Sequence, residues 1–360
     1  KKLNKLIKFL RINQYFSFFP ILKEIKRFKP EVIIVQRDLT FPTLLAAGFF
    51  KKIPVINIIR DPMGLCPKFI DIIDGFNNCS ELLTRKNCWN CINRWRTLRV
   101  LLLDKYRGSE YSLQTLFFSL YYKFLYYLSK IYLYLTKYAF VNVVASPLMK
   151  ELVVKRIKSK RIVIRKITPI DSTKINISNT LLSKGIIEQI DKSKKVILYV
   201  IPRNEGGSKG YPFVRLLLNK LSKDYLMVVV GTLLEGLKKH PHVINLDKLP
   251  MDNLYYLYQK ANLTIVPSIY TEAFGRVILE SLINKTPVIT SRQCGANYLF
   301  KKKNYVKILP LKVDLWVKEI EDFFKKPVEI PEDDIKKIEK MFSHKECANQ
   351  IIELINKVKY

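Results

Sequence analysis

Acidic residues are what this 360-residue chain is short of: 31 Asp and Glu stand against 63 Lys and Arg, a formal charge of +32. Such an imbalance calls for a polyanionic neighbour, whether a membrane surface, nucleic acid or a phosphorylated ligand. The abundance of Lys, Ile and Tyr is also what a compositionally biased genome yields, so charge alone does not choose among these. The sequence has no nucleic-acid recognition module: the basic runs KRIKSKR (155–161) and KKK (301–303) are isolated, and charge is spread over both halves, so no nucleic-acid partner is expected. The opening KKLNKLIKFL has a basic start but no apolar core followed by a small-residue cleavage site, so no signal peptide is expected. The chain also lacks an initiator Met, and a native N-terminal piece is expected to be missing. Internal repeats and low-complexity tracts are absent. Cysteine is sparse, yet Cys66, Cys79, Cys88 and Cys91 cluster, with Cys294 and Cys347 apart. Loop packing, a structural zinc and a disulfide are all open for the cluster, although its spacing is irregular for a zinc ribbon and no His assists.

The length suits two domains, and the apolar content suffices to bury a core in each. Short β-branched runs alternate with helical stretches: EVIIVQ (31–36), PVINIIRD (54–61), VNVVAS (141–146) and RIVIRKI (161–167), then VILYVIP (196–202), YLMVVVG (225–231), VINL (243–246), LTIVPS (263–268) and TPVITS (286–291). The rhythm predicts α/β architecture with two doubly wound parallel sheets. TPIDSTKINISN reads as the linker, placing the boundary between about 168 and 192. Residues 62–97 interrupt the first series with a Cys-bearing insertion. Residues 331–360 read as a charged amphipathic helix.

Residues 112–140 form a long aromatic helix in which Lys123, Lys130 and Lys137 recur every seven residues as one polar stripe. Lys interrupts it too often for a bilayer span. Tyr rings beside Lys heads suit an interfacial helix, while a helix packed on the sheet with its lysines in water is the alternative.

Ligands of open α/β sheets sit beyond the carboxyl ends of the strands. Two loops of the second series carry chemistry there. PRNEGGSKGYP (202–212) sets Arg203 and Lys209 across a Gly-rich turn, and glycines with two cations fit a diphosphate. It is not a Walker loop, since no Ser or Thr follows the lysine. SIYTEAFGRVILESLINKTPVI (268–289) sets Glu272 before a helix that begins near Phe274 or Gly275, and Glu280 within its first two turns. The free amides of that helix start make an anion site, with both carboxylates able to face one ligand.

The stretch TEAFGRVILE followed by TPVI resembles the E-x7-E signature of family 4 glycosyltransferases, retaining enzymes of the GT-B fold. VASPLMKELV with KITPID, and QKANLTIVPS, are similar to further parts of that family, and residues 62–91 resemble a Cys-bearing insertion of some members. The resemblance implies that Glu280 binds the ribose and Glu272 the sugar ring. It assigns the diphosphate to Arg203, Lys209 and the amides of Phe274, Gly275 and Arg276, and the base pocket to Leu246 and neighbours. It also implies a catalytic role for Glu272, Arg60 and Asp61, no required cofactor or metal, and a UDP-sugar or GDP-sugar as donor. The acceptor would be a glycan or lipid-linked hydroxyl. The excess positive charge and the Lys- and Tyr-bearing helix, for their part, lead to the expectation of an anionic membrane surface as partner and a cytoplasmic, peripheral location. Residues 1–180 would then be the acceptor-side Rossmann-like domain, N-terminally truncated, residues 193–330 the nucleotide-sugar domain, and 331–360 a helix crossing back to the first. The sequence departs from the family in three places. The Gly-rich loop after the first strand is missing, Arg60-Asp61 stands for His-Asp, and Cys294-Gly295 stands for Gly-Gly with Tyr298 at a position often acidic. A catalytically impaired homologue, acting as a nucleotide-sugar or membrane binding module, is the alternative these departures support.

Overall fold

The structure, a computed structural model, describes residues 17–62, 65–66, 72–74, 77–78, 85–93, 111–157, 161–171, 182–193, 195–201, 208–231, 237 and 240–359. The chain divides into two compact units, Lys1–Arg165 with Asn349–Tyr360, and Lys166–Ala348.

In the first unit, α1 (Phe18–Phe28) leads to β1 (Ile33–Gln36). A helical segment, α2, starts at Thr40–Thr43 and widens into a π-helical turn over Leu44–Phe50. Strand β2 (Val55–Ile59) follows, then a small antiparallel pair, β3 (Ile72–Asp74) with β4 (Asn77–Asn78), inside the insertion. The long aromatic helix is α3 (Tyr111–Leu135), and β5 (Val141–Val144), α4 (Pro147–Arg156) and β6 (Ile162–Ile164) complete the series. The sheet order is β1-β2-β5-β6, every pair parallel. Strand β5 is buried at every residue, as a sheet covered on both faces requires. The buried Asn57 and Asn142 side chains on adjacent strands bond to each other at 2.8 Å, so neither amide is left wholly unsatisfied in the apolar layer. Ser146 caps α4 by accepting from the Met149 amide, and Pro147 occupies the first turn, where its missing N–H costs nothing.

The second unit runs α5 (Lys184–Lys192), β7 (Val196–Val200), α6 (Tyr211–Leu218), β8 (Leu226–Gly231), β9 (Val243–Asp247), α7 (Met251–Lys260), β10 (Leu263–Val266), α8 (Arg276–Ile283), β11 (Val288–Ser291) and β12 (Val306–Leu309). Helices α9 (Val313–Lys325), α10 (Glu332–Met341) and α11 (His344–Lys359) follow, and the last passes from this unit into the residues grouped with the first. The sheet order is β12-β11-β10-β7-β8-β9, again all parallel. Chain progression reverses between β10 and β7, which is where a doubly wound sheet opens a crevice beyond its strand ends.

Helix α8 is pinned to this sheet by Ser281, whose hydroxyl bonds Thr264 on β10 and the Thr286 carbonyl ahead of β11. Strand β12 is absent from the strands read in the sequence, because VKIL places Lys307 in a short edge strand and lacks a clean apolar run. The terminal segment is two helices rather than one. Its break puts Phe342 into the core, against the Phe274 ring at 5.1 Å between centroids, while the Phe342 carbonyl accepts from the Ile170 amide.

Candidate functional site

The loops after β7 and β10, neighbours at the reversal point, are stitched to each other. The Ile269 amide donates to the Ser208 carbonyl at 2.9 Å, and the Tyr199 hydroxyl, from β7, donates to the Lys209 carbonyl at 3.0 Å. Gly210 closes the turn in the left-handed region, φ +98, and starts α6. Only glycine fits, since an added Cβ would lie 2.0 Å from the Pro267 carbonyl oxygen. This close approach fixes where Lys209 points.

The Lys209 ammonium donates to Glu272 Oε1 at 2.6 Å and to the Tyr270 hydroxyl at 3.0 Å. The other carboxylate oxygen, Oε2, accepts from the Ser268 hydroxyl at 2.6 Å and faces the Cys294 thiol at 3.8 Å. Each side chain of the ion pair is 12% exposed. Burial alone pushes the Glu272 carboxyl up, but Lys209 and the Ser268 hydroxyl outweigh it and the net shift is downward. Burial likewise works against the Lys209 ammonium, and Glu272 with Tyr270 carries it above its ordinary value. Both groups are therefore charged at neutral pH. Burial pushes the Cys294 thiol up to about 12, so it sits beside Glu272 as a neutral, weak donor.

The backbone of Glu272 is held as firmly as its side chain. Its amide donates to the Gln293 carbonyl at 2.9 Å and its carbonyl accepts from the Gly295 amide at 3.0 Å, a parallel bridge to the loop after β11. Gly275, φ +97, then turns the chain into α8. A Cβ there would meet the Glu272 carboxyl carbon only at 3.8 Å, so Glu272 lies beside the helix start.

Glu280 is buried one turn in, with a different set of partners. Arg276 grips Oε1 through Nε at 3.0 Å and Nη2 at 2.8 Å, and the Tyr258 hydroxyl donates to Oε2 at 3.2 Å. Burial first, then the Glu280 charge, raises the Tyr258 hydroxyl well above its ordinary value, which keeps it a donor. The Arg276 guanidinium is 43% exposed, so one end of this pair reaches water.

Of the residues singled out in the sequence, Lys209 and Glu272 meet directly, while Arg276 joins Glu280 and Phe274 packs in the core. The helix starts at Arg276, one residue beyond the Phe274–Gly275 estimate. Leu246 is half-buried on the edge strand β9, its side chain against the core that includes Tyr255 and Tyr258. Arg203 lies outside the described residues. Arg60 and Asp61 follow β2 in the first unit: Arg60 is exposed and donates to Gln36 at 3.4 Å, and Asp61 lies 3.7 Å from Arg37. Cys66 is buried and Cys88 and Cys91 are half-buried, no disulfide links described cysteines, and Cys79 lies outside the described residues. Among the described residues no group of three or more His, Cys, Asp or Glu is placed to hold a metal ion.

Ser268, Tyr270, Tyr258 and the Arg276 side chain were not read from the sequence as site residues. Ser268 stood in the quoted stretch four residues before Glu272, a spacing that signals a local partner. Tyr258 offered no such signal, because its bond to Glu280 joins two helices across 22 residues.

Residues 186–341 match the family model described as Glycosyl transferases group 1. No curated protein matches the chain. Among solved structures, the crystal structure of Anabaena Alr3699/HepE in complex with UDP-glucose is similar at a TM-score of 0.61 and 12% identity, over 94% of this chain and 82% of that one. Sucrose-phosphate synthase (tll1590) from Thermosynechococcus elongatus is similar at 0.53 and 13%, over 91% and 98%. At these identities the likeness is one of fold, and it is the two-sheet α/β fold of GT-B glycosyltransferases that the sequence led us to expect.

Proposed function

We propose that this chain is a glycosyltransferase that moves a hexose, with retention, from a nucleoside-diphosphate sugar to a hydroxyl of a glycan or lipid-linked acceptor. The observation that carries the reading is the Lys209–Glu272 pair, set at the carboxyl ends of adjacent strands where the sheet order reverses and beside the start of α8. The family match over residues 186–341 and a neighbour solved with UDP-glucose support it.

In this reading Lys209, with Arg203, holds the diphosphate and neutralises it as it leaves. The amides at the start of α8 add partial positive charge to the same place. Glu272 Oε1 keeps one acceptor site beyond that used by Lys209, room for a sugar hydroxyl, while Oε2 is engaged by the Ser268 hydroxyl and the weak Cys294 donor. Glu280, oriented by Arg276 and Tyr258, takes the ribose hydroxyls, and the backbone around Leu246 borders the base. No protein nucleophile is required, because the departing phosphate itself helps deprotonate the acceptor hydroxyl. Arg60 and Asp61 are assigned catalytic roles on the sequence resemblance.

A thermal-shift panel of UDP- and GDP-sugars, followed by assay of transfer and donor hydrolysis, tests the reading. Binding raises the melting temperature by mass action, and transfer should vanish in Glu272→Gln. No shift with any donor at millimolar concentration would overturn it. Binding without turnover would favour the second reading, a nucleotide-sugar binding module, for which the exposed Arg60 in place of His is the supporting observation.

A further inference from the structure

Helix α3 has two apolar faces. One is buried in the first unit through Leu125, Tyr126, Tyr132, Leu133 and Leu135. On the other, Leu120, Phe124, Tyr127, Ile131 and Tyr134 recur at alternating spacings of four and three, which aligns them on one side of a helix. They are 46% to 57% exposed. Isolated exposed apolar residues are ordinary, but a continuous row of five is not.

The row does not end with the helix. Tyr134 and Tyr138 approach each other at 3.3 Å between hydroxyls, Tyr138 packs edge-on against Phe49, Phe49 against Phe50, and Phe50 against Phe18. Phe50 and Phe19 are 58% and 71% exposed. The result is one aromatic strip across α3, α2 and α1.

Cations edge it. Lys123 and Lys130 lie roughly 60–80° around α3 from the apolar row, at 3.6 residues per turn, and Lys137 follows in the 3-10 turn Thr136–Tyr138. The Lys137 ammonium stands 3.6 Å from the centre of the Tyr134 ring, and that of Lys123 4.7 Å from the Trp89 ring. The chain's excess charge is also concentrated in this unit: 33 Lys and Arg against 11 Asp and Glu in residues 1–165 and 349–360, compared with 30 against 20 in the rest.

We infer that this strip is a docking surface for an anionic lipid bilayer, with the aromatic row immersed in the interface and the lysines at headgroup level. Among the described residues no helix is long and apolar enough to cross a membrane, so the helix lies in the plane of the surface. Aromatic rings beside lysine ammonium groups match the interface, where apolar bodies and polar tips are both accommodated. A second copy is the poorer occupant, since it would bring together two chains of +32 each. Nucleic acid would meet the lysines but offers no apolar phase to Leu120 and Ile131. The inference concerns the first unit alone and stands apart from the donor reading.

The test is co-flotation of the full chain with vesicles of phosphatidylcholine alone, or of phosphatidylcholine and phosphatidylglycerol in equal parts. Strong binding to the anionic vesicles only is expected. Phe124→Ser with Ile131→Ser should weaken it at least tenfold and abolish the salt-resistant part, while Lys130→Gln with Lys137→Gln should weaken it severalfold at low salt. All four positions are exposed, so an unchanged melting temperature is expected and verifies folding. Absence of binding, equal binding to both vesicles, or wild-type binding by the Ser variant would overturn the inference. So would a lipid-free dimer, or a complex with duplex or single-stranded nucleic acid, that the Ser substitutions abolish. Donor-induced thermal shift should be unaltered in every variant, which separates this result from the fate of the donor reading.

Discussion

Lys209 and Glu272, 63 residues apart in sequence, meet with Nζ 2.6 Å from Oε1, and each is about seven-eighths buried. A buried pair of this kind is costly to break, because removing one partner strands a desolvated charge.

Lys209→Met should therefore destabilise the second unit by about 3–5 kcal/mol. Adding Glu272→Gln should recover most of that loss, because no charge is then left unpaired. Urea denaturation of the single and double variants measures the coupling. The double variant, although restored in stability, should show no donor-induced thermal shift.

The same pair sets a pH dependence. Glu272 has a lowered value in the folded chain, so below its ordinary 4.5 the unfolded chain binds the proton more readily. Its contribution to stability is complete above that value and is lost as pH falls through the folded one. Lys209 has the opposite sense: its contribution is complete below the ordinary 10.5 and lost only as pH rises through a still higher value. Urea midpoints measured between about pH 3 and about pH 7 should fall on the acid side in the wild type and fall less in Glu272→Gln.

Arg276 should govern donor affinity through Glu280. Arg276→Met removes two charge-assisted bonds from a buried carboxylate and is expected to weaken binding of a UDP-sugar by roughly 10–100-fold, at about 1.5–3 kcal/mol for such bonds. Arg276→Lys retains the charge but loses the fork, and should restore only part. Calorimetric titration of both variants measures this. An unchanged affinity in Arg276→Met would remove Arg276 from the proposed site.

Two glycines with nearly the same φ, +98 at Gly210 and +97 at Gly275, should respond differently to alanine. Gly210→Ala drives a Cβ to 2.0 Å from a backbone oxygen and should abolish the native fold of the loop or unfold the unit. Gly275→Ala meets nothing nearer than 3.4 Å and should cost about 1–2 kcal/mol, the strain of a left-handed alanine. Thermal melts of the two variants give the comparison.

Much of the fold was legible because a parallel sheet buries both faces of its strands. Runs such as LTIVPS and YLMVVVG declare themselves by continuous apolar content. β12 escaped because an edge strand with Lys307 at its centre has no such run. At the candidate site, glycine beside lysine and glutamate before a helix start were local signals. What sequence did not disclose was that Lys209 and Glu272 bond each other, since that follows from the strand order, which places β7 beside β10. Tyr258 was hidden for the same reason: its bond crosses from one helix to the next.

The seam between the Lys209 turn and the strand that precedes Glu272 has a consequence for how such a site can change over generations. With Ser208 bonded to Ile269 and Gly210 pressed on Pro267, the 208–210 turn and residues 267–269 are fitted to each other, and neither can be exchanged by itself. Variation that alters what is bound here must arrive in both loops together or come from outside them. A chimera carrying only one foreign loop should fail to fold where a chimera carrying both succeeds.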